Sequence, residues 1–289
     1  MELAAPDLAG LVLVDKPAGM TSHDAVAIVR RALKTRRVGH TGTLDPFATG
    51  LLVVLVGRGT RLIPYVDGEP KVYEATIRFG AETDTDDITG AVIREAAVPS
   101  DVAIAESIER LTGEIDQLPP AYSAKKVDGV RAYDAARRGS ALTLAPARVI
   151  VNHWSILGRE AADLRVRITC GAGTYIRALA RDLGRYSDSA AHLAELRRVK
   201  SGPFDVNDAI TIDAIRTGGA AVRPLLTGVP SLPAQRLEAA DIRRALHGNV
   251  VAARVDGPRV ALLDDQETLI AVADRVGGDL HPALVLRDA

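Results

Sequence analysis

The sequence predicts an α+β fold, a mixed β-sheet flanked by helices, followed by a small C-terminal β-barrel. Three observations carry this. Apolar runs of strand length, Leu11-Val12-Leu13-Val14 and Leu51 to Val56, alternate with amphipathic segments of helical period. Strict alternation marks Val72 to Phe79, and again Leu164, Val166 and Ile168, as strands with one buried face. From about Ser231 the texture changes to brief strand-like runs punctuated by Asp256-Gly257-Pro258 and Asp264-Asp265. With 289 residues, 47% of them hydrophobic, the chain can bury a substantial core. The division expected is residues 1–230 as a main domain and 231–289 as the barrel.

Taken in order, the strand at Leu11 leads through a Pro-Gly turn to a helix capped by Thr21 or Ser22, with Ala25, Ile28, Val29 and Leu33 on its apolar face. The strand Leu51 to Val56 follows. In Val72 to Phe79, Tyr73, Ala75, Ile77 and Phe79 share one face, so Tyr73 points toward the core side. A helix runs from Ser100, its N-cap, to Gly113 just past its end, with Ile104, Ile108 and Leu111 facing inward. After Pro119-Pro120, the basic, turn-rich stretch Tyr122 to Arg148 surrounds a short helix ending at Gly139 and suits either an element that closes over a ligand or, equally, an ordinary surface excursion. Strands near Arg148 to Trp154 and Asp163 to Cys170 return the chain to the sheet, and Thr174 opens a helix. In the C-terminal part, a helix ending at Gly248 precedes strands near Val250 to Val255, Val260 to Leu263, Thr268 to Val272 and Pro282 to Leu286.

Composition excludes several classes. The single cysteine, Cys170, rules out an intramolecular disulfide and a multi-cysteine zinc site, and it reads as a small core residue in a reducing, cytoplasmic setting. Residues Met1 to Asp7 lack the basic-then-apolar order of a signal peptide, and no apolar stretch approaches the roughly 20 residues that span a bilayer. A soluble protein is expected, monomeric by default. The net charge of −1 argues against a general polyanion binder, yet the cations are clustered. Arg30, Arg31, Lys34, Arg36 and Arg37 form one group; Lys125, Lys126 and Arg131, then Arg137 and Arg138, and Arg197, Arg198 and Lys200 form further groups. Together they suggest a groove that tracks a phosphate backbone.

The run Gly39-His40-Thr41-Gly42-Thr43-Leu44-Asp45-Pro46-Phe47-Ala48-Thr49-Gly50 sets one acid in a backbone built for tight turns. An isolated Asp-Pro is an ordinary turn. The whole run, however, resembles the catalytic loop of the TruB family of tRNA pseudouridine synthases. Val14-Asp15-Lys16-Pro17-Ala18-Gly19-Met20-Thr21-Ser22, Tyr122-Ser123-Ala124-Lys125-Lys126, Gly173-Thr174-Tyr175-Ile176-Arg177 and Leu196-Arg197-Arg198 recur in family order. The resemblance covers roughly the first two hundred residues. It implies the pseudouridine synthase fold, a C-terminal PUA-like domain that binds RNA, and isomerisation of the T-loop uridine at tRNA position 55. It also implies roles residue by residue: Asp45 as catalytic carboxylate, Arg177 as the arginine that pairs with it, and Tyr73 as the ring on the target uracil. Asp87, Tyr175 and Leu196 fall at further pocket positions. His40 falls where a ring stacks against RNA from which the base has been extruded.

Other chemistries fail on spacing. The acidic run Asp84 to Gly90 has Ile88 where an EF-hand needs an oxygen ligand and Thr89 where it needs glycine. Gly171-Ala172-Gly173 lacks the third glycine of a dinucleotide loop, whose place Ile176 takes. The six histidines show no ligand pair. No metal and no cofactor are therefore expected, and carboxylate chemistry on a nucleoside remains. Asp45 has three courses open: stabilising or trapping an oxocarbenium-like sugar, adding to the uracil ring, or abstracting a sugar proton. Two other classes stay open, a noncatalytic RNA-binding or folding module that does not need Asp45, and a glycoside hydrolase pairing Asp45 with Asp84 or Asp87. An aromatic content of 3% offers the hydrolase few sugar-stacking platforms.

Overall fold

The computed structural model describes residues 8–123, 126–127, 130–131 and 144–286. The side chains of Lys125, Lys126, Arg131, Arg137 and Arg138, the helix expected to end at Gly139, and Met1 to Asp7 lie outside the described residues. In chain order the elements used below are β1 (Gly10–Lys16), α1 (Ser22–Ala32), β2 (Val38–His40), β3 (Thr49–Val56), β4 (Lys71–Phe79), β5 (Ala81–Thr83), β6 (Val92–Glu95), α2 (Asp101–Arg110) and β7 (Gly113–Gln117). They continue with β8 (Ala147–Glu160), β9 (Asp163–Cys170), α3 (Ile176–Tyr186), β10 (Ala191–Ser201), β11 (Ile210–Thr211), α4 (Ile212–Arg216), β12 (Ala234–Arg236), α5 (Ala239–Leu246), β13 (Val251–Ala252), β14 (Arg259–Leu263), β15 (Leu269–Val276) and β16 (Asp279–Val285). The protein is α+β, as expected. It divides into two compact units, residues 1–46, 50–68 and 202–289 forming one, and residues 47–49 and 69–201 the other.

In the first unit, β1 lies antiparallel to β3 and parallel to β11, a mixed arrangement, and β2 adds antiparallel to β3. The continuous apolar runs are explained by burial on both faces. Leu11, Leu13, Leu51, Val53 and Leu55 enter one core, while Val12, Val14, Leu52, Val54 and Val56 enter another against Ala25, Val26, Ile28 and Val29 of α1 and Ile212 and Ile215 of α4. Thr21 is the N-cap of α1: its hydroxyl accepts from Asp24 N–H while the Asp24 carboxylate accepts from Thr21 N–H, a reciprocal capping box.

The C-terminal sheet has the order β12-β14-β15-β16-β13. Ala261, Leu263, Leu269, Val272, Leu284 and Leu286 share the core of Leu11 and Leu51, so this sheet is seated on β1 and β3. Its two edges are joined by one buried amide. Gln235 on β12 donates to Ala252 O at 2.9 Å and accepts from Arg254 N–H at 2.7 Å, standing in for a strand ladder. A side-chain bridge of this kind lets a short sheet curl nearly closed without exposing two free edges.

The second unit is an antiparallel sheet of order β10-β4-β9-β8-β7, with α3 packed on β10 and α2 against α3. Its buried face carries Tyr73, Ala75, Ile77 and Phe79 of β4, as the alternation requires, and Leu164, Val166, Ile168 and Cys170 of β9. The other face is polar and laced by cross-strand pairs: Arg78 with Asp163 at 2.7 Å through both oxygens, and Arg167 with Glu74 at 2.5 Å. Ser100 caps α2, accepting from Ala103 N–H, and Gly113 takes the positive φ that turns the chain into β7. The helix expected from Thr174 begins instead at Ile176, because the Thr174 hydroxyl donates to Gly171 O and closes the preceding glycine turn.

Candidate active site

In the first unit the loop that bears Asp45 is clamped on both sides. On the near side, Ser22, buried at the first turn of α1, accepts from Leu44 N–H at 2.9 Å and donates to Leu44 O at 3.1 Å. On the far side, Pro46 O accepts from Gly19 N–H at 2.9 Å and from the Lys16 ammonium at 3.5 Å. That ammonium is fully buried and also donates to Pro17 O and Met20 O, which hold it in place of water. Asp45 itself is half-buried. His40 ends β2 opposite Val54, half-buried, and its ring meets that of His23 edge-to-face at 5.9 Å between centroids. The sequence alone did not single out Lys16 or Ser22 as site residues; the signal was their place in the family-like opening segment.

The remaining candidates lie in the second unit. Tyr73 is buried, opposite Ile168 on one side and Arg198 on the other. Leu196 is opposite Ala75 and its carbonyl accepts from the Thr49 hydroxyl at 3.4 Å. Its inward aim depends on a β-bulge: Leu193 faces Ile77 and Glu195 faces Thr76, so the extra residue Ala194 brings Leu193 and Leu196 onto one face. Arg198 thereby also turns inward and is fully buried, so it is not part of an exposed cationic group with Arg197 and Lys200. Tyr175 is the N-cap residue of α3, and Gln117 holds its backbone by accepting from its N–H at 2.8 Å and donating to its carbonyl at 3.1 Å. Nothing in the sequence marks Gln117 for this.

Arg177 and Asp87 are brought together. Arg177, 5% exposed, lies 3.6 Å from Asp87 Oδ2 and donates to Thr85 O and Tyr122 O, each at 2.9 Å. The other Asp87 oxygen accepts from Thr85 and Thr89 hydroxyls at 2.8 and 2.5 Å and from Thr89 N–H at 2.9 Å. Asp84 Oδ1 accepts from Ala91 N–H, and a Cβ on Gly90 would sit 2.4 Å from that oxygen. The acidic run thus serves a tight self-bonded turn. One face of α3 continues the pattern: Arg181 donates to Asp86 at 2.9 Å and to Leu118 O at 2.8 Å, and Arg185 engages Glu82, which Arg94 also contacts at 3.2 Å. Burial pushes the Asp86 carboxyl up to about 6 against the pull of Arg181 and Arg177. Glu82 is held below the ordinary range, since Arg185 and Arg94 outweigh its burial. Burial likewise raises the Cys170 thiol to about 11, the behaviour of an inert core cysteine.

Among the described residues, most arginines of the second unit are spent on acids in this way. The group at the end of α1 is different. Arg30, Arg31, Lys34, Arg36 and Arg37 are all exposed, and none forms an ion pair among the described residues. Five uncommitted cations sit immediately before the strand that leads to His40 and Asp45.

Comparison with known proteins assigns the class. Residues 30–176 match the N-terminal domain of TruB family pseudouridylate synthases, and residues 177–222 match the C-terminal domain of tRNA pseudouridylate synthase B. Proteins named tRNA pseudouridine synthase B are similar nearly end to end: that of Thermobifida fusca is 43% identical over 96% of this chain and 98% of its own length. That of Mycobacteroides abscessus is 40% identical over 97% of each. Among solved structures, a chain of a Cbf5-Nop10-Gar1 complex superposes with a TM-score of 0.73 at 25% identity, covering 96% of this chain and 85% of that one. Fold and sequence together define a pseudouridine synthase, an isomerase that converts uridine to pseudouridine in RNA. The chain belongs to the TruB family. No described helix is long and apolar enough to cross a membrane.

Proposed function

We propose that the protein isomerises the T-loop uridine at position 55 of tRNA, with Asp45 as the catalytic carboxylate. The observation that carries this is the double clamp on Leu44 and Pro46, which leaves the intervening acid as the one residue of the loop tip held from both sides. Preorganised placement of a reacting group is what such a loop supplies. The reaction breaks N1–C1′, turns the uracil and joins C5 to C1′; the C5 proton leaves to solvent and N1 gains one, so neither redox partner nor cofactor is required. Arg177 is proposed as the cation that pairs with Asp45, Tyr73 as the ring against the uracil, and Tyr175, Leu196 and Asp87 as its surroundings. His40 is proposed to take the place of the extruded base, offsetting the few kcal/mol that unstacking costs. The T arm of tRNA, recognised by its shape and exposed bases, is drawn by the five cations of α1 and its following turn. We propose residues 1–230 as the catalytic part and 231–289 as a PUA-like RNA-binding part, acting as a monomer in the cytoplasm.

The test is pseudouridine mapping on unmodified tRNA incubated with the purified protein. A single new pseudouridine at position 55 is expected. Modification elsewhere only would overturn the substrate assignment, release of free uracil would indicate a hydrolase, and binding without any modification would indicate a noncatalytic RNA module.

A further inference from the structure

We propose that Ser22 is a positioning residue for the reaction, setting the aim of the Asp45 carboxylate through the backbone of Leu44; this rests on Asp45 being the catalytic group. Two adjacent hydroxyls open α1, and the capping duty is discharged by Thr21 alone, whose Oγ1 accepts from Asp24 N–H at 3.1 Å. Ser22 is therefore surplus to the cap, yet it is 1% exposed. Burying a hydroxyl is unfavourable unless it is partnered. Its partners are the two backbone groups of one residue, Leu44 N–H at 2.9 Å and Leu44 O at 3.1 Å, so a single oxygen accepts and donates to the same residue.

The geometry has a specific consequence for Asp45. The carbonyl of Leu44 belongs to the peptide plane that also contains Asp45 N, so the Ser22 hydroxyl fixes that plane. On the other side Pro46 has its φ fixed by its ring, and its carbonyl is held by Gly19 N–H at 2.9 Å. The two backbone torsions of Asp45 thus lie between two restrained segments. Ser22 is itself mounted on a helix whose Ala25, Val26, Ile28 and Val29 are buried in a core with β1 and β3, so the clamp ties the Asp45 loop to that core. Removing the hydroxyl takes from the buried Leu44 N–H and C=O the partner that Ser22 gives them and releases that restraint on the plane.

The experiment compares Ser22→Ala with wild type and Asp45→Asn on a T-arm RNA, reading kcat, KM and melting temperature. Ser22→Ala is expected to lower kcat roughly 10- to 100-fold with KM changed less than about threefold, the signature of misplacement without lost binding. Wild-type kcat in a folded Ser22→Ala, with Asp45→Asn inactive, overturns the positioning role and leaves the catalytic assignment intact. An active Asp45→Asn overturns the catalytic assignment itself. Should Ser22→Ala not fold, the near-isosteric pair Ser22→Thr and Ser22→Val decides: Thr keeps the hydroxyl and should exceed Val in kcat by about tenfold or more, whereas equal rates in the two would refute the role.

Discussion

Neutralising the cations after α1 should change how binding depends on salt more than it changes anything else. The double variant Arg36→Ala, Arg37→Ala removes two of five exposed cations that have no ion-pair partner among the described residues. Each cation that neutralises a phosphate contributes about 0.7 to 0.9 to the slope of log K against log salt, so losing two should flatten the slope by about 1.4 to 1.8. Between about 50 and 200 mM salt, a fourfold change, that corresponds to roughly a ninefold smaller loss of affinity than wild type suffers. Fluorescence anisotropy with a labelled T-arm hairpin measures it, and a melting curve checks that both proteins are folded. Arg78→Ala is the control, because Arg78 is already engaged by both oxygens of Asp163. A wild-type slope in the double variant, or an equal flattening in the control, would refute the assignment of this group as the phosphate contact.

Two further outcomes follow from packing and charge. The Asp86 carboxyl has a folded-state value of about 6 against an ordinary 3.8, because it is buried, so the folded protein binds its proton more tightly than the unfolded chain. Its contribution to stability is present below about pH 4 and lost as pH rises through 6, by about 3 kcal/mol at most. In urea titrations the stability of wild type relative to Asp86→Asn should therefore fall between pH 4 and 7, and a constant or rising difference would contradict it. Gly184 lies inside α3, where a Cβ would sit 2.5 Å from Ala191 N and 2.8 Å from Ala190 C. Gly184→Ala should lose about 1 to 3 kcal/mol by overpacking despite its better helix propensity, read as a lower melting temperature; a rise would refute the close approach.

The parts of the fold that were legible are those set by local pattern. The doubly buried runs at Leu11 and Leu51, the alternation through Tyr73, and the caps at Thr21 and Ser100 each dictate their element without help from elsewhere. What stayed hidden depends on long-range register. Leu196 and Arg198 face inward only because a bulge at Ala194 shifts the phase of β10, and no local signal marks a bulge. The arginine face of α3 is half-visible, since Arg177, Arg181 and Arg185 recur at four-residue spacing, but their acids, Asp87, Asp86 and Glu82, come from β5 and the turn after it, far earlier in sequence. Thr174 precedes α3 rather than opening it, because a hydroxyl before a helix is equally able to close the turn ahead of it. The Asp45 loop was recognisable from its residue run, whereas the Lys16 and Ser22 clamps that hold it are interactions between segments 22 to 30 residues apart.

The proposed chemistry rests on Asp45. The most direct measurement is tritium release from T-arm RNA labelled at uracil C5, comparing wild type with Asp45→Asn at matched fold and matched RNA affinity. No release above background is predicted for Asp45→Asn, because the carboxylate is lost while the clamps on Leu44 and Pro46 remain. Full release by that variant would contradict the central claim and move the chemistry to another group.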